Sequence, residues 1–154
     1  MRILGVDPGS RLTGYGIIEQ RGNLLAFVAC GVIRAEKAKT MPERLLLIHR
    51  GLDEVIACHQ PQQAAVEDIF TAVNPRSALK LGQARGVIIL TLCRHGLPVA
   101  EYTPRMVKQA VAGYGQASKE QVQQMVRALL KLNANPSQDA ADALAVAICR
   151  ANHL

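Results

Sequence analysis

No apolar run in this chain approaches the ~18 residues that a membrane helix requires, so a spanning helix is excluded at the level of sequence. A polar, turn-forming Asp7-Pro8-Gly9-Ser10 interrupts the first apolar stretch, so no signal-peptide core is read there and a cytoplasmic protein is expected. Cysteine is sparse: Cys30, Cys58, Cys93 and Cys149 are scattered, without a C-x-x-C and without a histidine at metal-ligand spacing. They are expected to be reduced, mostly buried small apolar residues, and they offer no soft metal site. Internal repeats, low-complexity tracts and linker-like stretches are lacking too, so residues 1–154 are expected to form a single domain around one core.

Apolar residues are plentiful at 49%, against 19% charged, enough to offset the entropy of ordering a globular fold. The balance of 18 Lys and Arg against 12 Asp and Glu leaves a formal charge of +6, which favours an anionic partner. Many small proteins are basic, so charge sets a direction and motifs must decide.

Arg2 to Asp7 reads as a short strand ending in the D-P-G-S turn, Leu12 to Glu19 as a second, and Leu24 to Ile33 as a third in which Gly31 marks a bulge. Three consecutive strands predict an antiparallel meander. Leu45, Ile48, Leu52, Val55 and Ile56 recur at helical spacing and predict a helix over 42–59. A buried strand over 64–69, a long helix over 77–94 closed by Gly96, and a strand over 98–102 follow. Helices over 104–112, 119–132 (with Ser118 as N-cap) and 136–152 complete the chain. The order β-β-β-α-β-α-β-α-α-α predicts an α/β fold, a five-stranded mixed sheet with helices on its faces.

The run Asp139-Ala140-Ala141-Asp142-Ala143-Leu144-Ala145-Val146-Ala147-Ile148-Cys149 is apolar all round apart from its two aspartates, the pattern of a helix buried in a core. Their i, i+3 spacing puts both carboxylates on one face, where like charges repel unless a cation or shared proton intervenes. An acid in a first helical turn also has a structural explanation in the backbone dipole, which serves Asp139 better than Asp142. Glu67 ends a central strand and points opposite to Val66, where a carboxylate is costly without a partner. Asp7 also ends a strand, though D-P-G is a common turn in which Asp bonds its own backbone. Two strand-end carboxylates and a helical pair supply what a two-metal phosphodiesterase requires, and an all-oxygen donor set selects magnesium over zinc.

Three blocks tie these acids to a known family. Gly5-Val6-Asp7-Pro8-Gly9-Ser10-Arg11-Leu12-Thr13-Gly14-Tyr15-Gly16, Ser77-Ala78-Leu79-Lys80-Leu81-Gly82-Gln83-Ala84-Arg85-Gly86 and Asp139-Ala140-Ala141-Asp142-Ala143-Leu144-Ala145 resemble the first block, central helix and last helix of the RuvC family of Holliday junction resolvases. Val107-Lys108-Gln109 and Leu129-Leu130-Lys131-Leu132 extend the resemblance over nearly the whole chain. It implies a ribonuclease-H-like nuclease domain and Asp7, Glu67, Asp139 and Asp142 as catalytic and metal-binding residues. It further implies two Mg²⁺ ions per site, with Mn²⁺ as a substitute. Lys108 and Lys119 match lysines near the DNA backbone, and Phe70 an aromatic that stacks on unpaired bases at the crossover. The resemblance also implies a homodimer that nicks opposed strands of a four-way junction, leaving 5′-phosphate and 3′-hydroxyl ends, and partnership with the branch-migration proteins RuvA and RuvB.

Val73 departs from the family, which often places a basic residue before the Asn seen here as Asn74; Pro75 and Pro104 depart too and are expected to alter loop shape. Arg76, Lys80, Arg85, Arg105, Lys108 and Lys119 are read as a basic perimeter for phosphates. Gly82 and Gly86, four apart, line one face of the central helix, either against the chain's own sheet or as a dimer seam. Two rival readings stay open. One is a junction-binding module without catalysis, which leaves the acidic pair without a purpose. The other is an actin-like ATPase fragment, because D-x-G-S after an apolar strand also resembles that superfamily's phosphate loop; such proteins use two domains of this kind.

Phe70 is one of few aromatics in a chain with 3% of them, and by spacing alone it reads as a core residue. If it instead wedges into an opened base step, where stacking is worth about 1 to 3 kcal/mol, Phe70→Ala weakens junction cleavage and leaves the melting temperature in place. A large fall in melting temperature would return Phe70 to the core.

Overall fold

Leu4 and Val6 point to one side of the first strand and Ile3 to the other, and all three are fully buried, so this strand is covered on both faces. The computed structural model describes residues 1–68 and 74–154; Phe70 and Val73 lie outside the described residues. Among the described residues the order is β1 (Arg2–Asp7), β2 (Leu12–Arg21), β3 (Leu24–Arg34), a single 3-10 turn (Ala35–Lys37), α1 (Met41–His59), β4 (Gln63–Glu67), α2 (Pro75–Arg94), β5 (Val99–Tyr102), α3 (Pro104–Ala112), α4 (Lys119–Leu130) and α5 (Gln138–Asn152). No helix among them is long and apolar enough to cross a membrane.

The sheet runs β3-β2-β1-β4-β5. The first three strands pair antiparallel as the meander, and β4 and β5 add to β1 in parallel. This is the expected five-stranded mixed α/β sheet. Strand alternation divides the core in two. Leu4, Val6, Ile17, Ala64 and Val66 face Ile48, Leu52, Ile88 and Leu92 of α1 and α2. Ile3, Ile18, Ala65 and Tyr102 face Val107, Val126, Leu144 and Ile148 of α3, α4 and α5.

Local chemistry starts and stops these helices. Thr40, Asn74, Thr103, Ser118 and Ser137 each accept an N–H from the first turn of the helix they precede, a contact commonly worth about 1 kcal/mol. Pro75 and Pro104 occupy first helical positions, where a missing N–H costs nothing and the fixed φ favours the helix. They open α2 and α3, and α2 starts two residues earlier than the spacing predicts. Lys131, at φ 53, ends α4 two residues early.

Three expectations are corrected. The bulge in β3 is not at Gly31: the register shifts where Ile17 pairs with Ala29 and Ile18 with Phe27, leaving Val28 as the extra residue. Gly31 pairs regularly with Tyr15, and a Cβ there would come within 2.7 Å of the Tyr15 ring, so that ring is what requires a glycine. The four cysteines are free, but only Cys149 is buried; Cys58 and Cys93 sit exposed on the last turns of α1 and α2. Gly82 and Gly86 do not pack against the chain's own sheet, since a Cβ on either would meet nothing within 4 Å. They lie on the outer face of α2 with Leu79 and Leu90, which are 70% and 60% exposed.

The apolar helix α5 lies across β1 and β2 at backbone contact. A Cβ on Gly5 would collide with the Ala143 carbonyl, one on Gly14 with the Asp139 carbonyl, and one on Gly16 would stand 2.8 Å from the Leu144 amide. Gly5 and Gly16 are cross-strand partners, and Gly14 is opposite Asp7. Glycines on one face of two neighbouring strands thus form the seat of the helix. Gly14→Ala should lift α5 and destabilise the fold by about 1 to 3 kcal/mol, the usual cost of overpacking, read as a lower denaturation midpoint; an unchanged midpoint would show that the seat has slack.

Candidate active site

Asp7 and Glu67 end two neighbouring parallel strands whose last paired residues before them are Val6 and Val66. Both carboxylates therefore emerge at the carboxyl edge of the sheet, where open α/β sheets place their sites. Alternation turns Asp7 to the side of Ile3 and Gly5, and Glu67 to the side of Ala65, which is the side that α5 covers. The glycine seat holds the first turns of α5 over the same edge. It carries Asp139, whose backbone rests on Gly14, and Asp142 one turn further on. Four acids distant in sequence thus share one end of the molecule, all of them half-buried.

The electrostatics record this proximity. The Asp7 carboxyl is pushed up to about 8, first by burial and then by Glu67, Asp142 and Asp139, with Lys119 pulling the other way. Glu67 is pushed up to about 7, by burial and by Asp142, against the opposing pull of Lys119 and Lys108. Burial also raises Asp142, Lys119 lowers it, and Asp139 raises it.

The two lysines close the site from other elements. Lys119 opens α4 just after its N-cap Ser118, where a reciprocal capping box with Gln121 fixes the helix start. Its Nζ stands 3.8 Å from Asp142 Oδ2. Lys108 projects from α3 into a cleft of about 280 Å³, which is lined also by Glu67, Lys119, Asp142 and the apolar Pro104, Val107, Val122 and Ala145. Asp7 and Asp139 are not among its lining residues.

The acids share a field without converging: among the described residues no three His, Cys, Asp or Glu side chains stand close enough to form a ready ligand cage. Mutual repulsion and the pull of Lys119 on Asp142 oppose convergence. Even so, the donor set suits a hard divalent cation, because it is all carboxylate and burial, together with the neighbouring carboxylates, drives two of its members toward protonation. A lone exposed Lys–Asp pair would be worth about 0 to 1 kcal/mol and would need none of the other acids. Bare carboxylates beside lysines in an open cleft can hold cations and a phosphate ester together.

Two features of this site escaped the sequence reading. Gly5, Gly14 and Gly16 seat α5, and their signal was glycine inside strands, at alternate positions in β2. Arg85, read as part of a basic perimeter, is only 18% exposed and engages Glu101 at 2.6 Å and Asp68 at 3.6 Å. It is therefore not a free phosphate contact.

A mixed five-stranded sheet flanked by helices, with acids on two central strand ends and on the helix packed across them, is an arrangement of ribonuclease-H-like type. The sequence profile of the family described as "Crossover junction endodeoxyribonuclease RuvC" matches residues 3–150. The proteins of that name from Acinetobacter baylyi and Cupriavidus metallidurans are 59% and 56% identical to this chain, covering 97% and 99% of it and 82% and 84% of their own lengths. The structure of "T. thermophilus RuvC in complex with Holliday junction substrate" superposes with a TM-score of 0.93 at 35% identity, over 99% of this chain and 94% of that one. The chain belongs to the RuvC family of crossover junction endodeoxyribonucleases.

The raised carboxyls have a consequence for stability. Between about pH 4 and pH 8 the folded chain keeps protons on Asp7 and Glu67 that the unfolded chain has released, so stability falls as pH rises through that window. Metal-free protein should melt at progressively lower temperature from pH 6 to pH 8.5, and millimolar Mg²⁺ should restore the melting temperature at pH 8 by binding the folded form. A melting temperature flat in both pH and Mg²⁺ would show that Asp7 and Glu67 are not held toward protonation in the folded chain.

Proposed function

We propose that this chain resolves four-way DNA junctions in recombination and repair, using Asp7, Glu67, Asp139 and Asp142 to hold two Mg²⁺ ions, with Mn²⁺ able to replace them. The observation that carries the reading is the placement of these four acids at one sheet edge, with Glu67 and Asp142 lining one cleft together with Lys108 and Lys119, in a member of a family of junction endonucleases.

When bound, the ions supply an activated water and charge stabilisation at the departing 3′ oxygen. The rest falls to the protein. Asp7 is placed by its pairing opposite Gly14, Glu67 by its pairing with Tyr102 at the very end of β4, and Asp142 by the seat on which α5 rests. Lys119 and Lys108 offset carboxylate charge while no substrate is present and can turn to the incoming phosphodiester. The apolar wall of Pro104, Val107, Val122 and Ala145 limits water and strengthens each of these interactions. Hydrolysis then leaves 5′-phosphate and 3′-hydroxyl ends. Phe70 belongs to this reading as the residue that stacks at the opened crossover.

The proposal includes residues 1–154 as one nuclease domain, acting in the cytoplasm as a homodimer and working with RuvA and RuvB. Paired symmetric nicks need two sites related by a two-fold axis. The outward stripe of Leu79, Gly82, Gly86 and Leu90 on α2 supports a seam there, because glycines in open surroundings let a second backbone come close.

A synthetic four-way junction incubated with the protein in Mg²⁺, and again with a chelator, tests the reading. Paired symmetric nicks are expected only with the metal. Asp7→Asn and Asp142→Asn should each abolish nicking while junction binding, followed by fluorescence anisotropy, survives. Substantial nicking by either purified variant would overturn the carboxylate assignment, and binding without nicking by the native chain would leave a junction-binding module.

A further inference from the structure

Arg85 reaches the end of β4 from the face of the sheet opposite to the carboxylate cluster. It lies on α2, whose inner residues Ala84, Ile88 and Leu92 pack beneath Leu4, Val6, Ala64 and Val66. Its guanidinium meets three groups at once: Nη2 is 2.6 Å from Glu101 Oε1 and 3.6 Å from Asp68 Oδ1, and Nε donates to the Glu67 backbone carbonyl at 3.4 Å. Glu101 belongs to β5, where Val66 is its partner in register. The Asp68 amide donates to the Tyr102 carbonyl at 2.7 Å, so the chain just past Glu67 is held to β5 as well.

From this geometry we infer that Arg85 is the positioning residue for Glu67, locking the last residue of β4 so that its carboxylate enters the site at one fixed depth. Glu67 is the final residue of its strand, and the next strand bond beyond it is the Asp68 amide. A strand terminus frays unless tied down, and Arg85 supplies a tie on the face opposite to the carboxylates. The planar guanidinium fork can hold a carbonyl and two carboxylates in fixed relation, which an ammonium point charge cannot. Because Glu67 and its neighbours alternate across the sheet, Arg85 fixes the backbone from below while the side chain stays free above.

The inference rests on the junction-nuclease reading for its catalytic effect, but not for its effect on Glu67. Arg85→Gln should lower the cleavage rate at saturating junction by about 10- to 100-fold, the usual effect of losing a residue that orients a metal ligand, with junction affinity unchanged. Arg85→Lys should recover only part of that rate. On DNA-free protein, Mn²⁺ titration followed by electron paramagnetic resonance should show weaker binding in Arg85→Gln, and amide exchange should accelerate at Glu67 and Asp68. Glu101→Gln, at a half-exposed position, should reproduce a milder form of every change and carries the test if Arg85→Gln does not fold. Native rate, Mn²⁺ affinity and exchange in the variants would overturn the proposal. So would weaker junction affinity with a shallower salt dependence at an unchanged rate, which would make Arg85 a phosphate contact. If the native chain cuts no junction, the Mn²⁺ and exchange measurements still decide the role of Arg85.

Discussion

The backbone contact between α5 and the β1–β2 pair is the constraint from which the rest of the molecule follows. A helix normally stands off a sheet by the length of its side chains; here Gly5, Gly14 and Gly16 remove the side chains on one side, and the backbone of the helix at Asp139, Ala143 and Leu144, with the small Ala147, comes down onto them. Backbone against backbone leaves little adjustable layer, so helix and sheet behave as one rigid block. That rigidity lets a strand-end acid such as Asp7 and helical acids such as Asp139 and Asp142 keep a mutual geometry they would not choose electrostatically. The repulsion is offset by packing energy elsewhere in the core.

The two faces of the sheet have divided their duties. The α3–α5 face carries the acids, the two lysines and the cleft. The α1–α2 face carries the larger aliphatic side chains, the Arg85 anchor and the outward Leu and Gly stripe of α2. One helix, α2, therefore touches both the end of β4 and, on its outer face, the exposed Leu79, Gly82, Gly86 and Leu90. Between α1 and α2, Asp53 bridges His95 at 2.7 Å and His49 at 3.2 Å, and His49 continues to Thr91 at 2.8 Å. This polar clasp adds directional contacts to a helix pair otherwise held by apolar burial.

Most of the architecture was legible because it rests on local patterns. Alternation gave the strands, three- and four-residue spacing the helices, and Ser118 and the D-P-G-S turn their borders, with ends off by two residues where a proline or a left-handed residue decided them. The acids were legible as oddities, charges in otherwise apolar runs. What escaped was relational. Whether Gly82 faces a sheet or solvent, whether Arg85 meets phosphate or Glu101, and whether Gly31 relieves a bulge or a tyrosine ring each depend on what lies across from the residue, and no spacing along one strand or helix encodes that.

Sequence order and site order are at odds in this fold. Asp7 emerges early in synthesis, Glu67 only after β1 has waited for a parallel partner across α1, and Asp139 and Asp142 arrive with α5. Parallel pairing of distant segments forms late because its loop-closure cost comes before its reward. A polypeptide still being made, with its glycine seat bare, holds half of the candidate carboxylates and none in their final relation. On the carboxylate assignment proposed above, a chain assembled in this order completes its acidic edge only when α5 docks on the glycine seat.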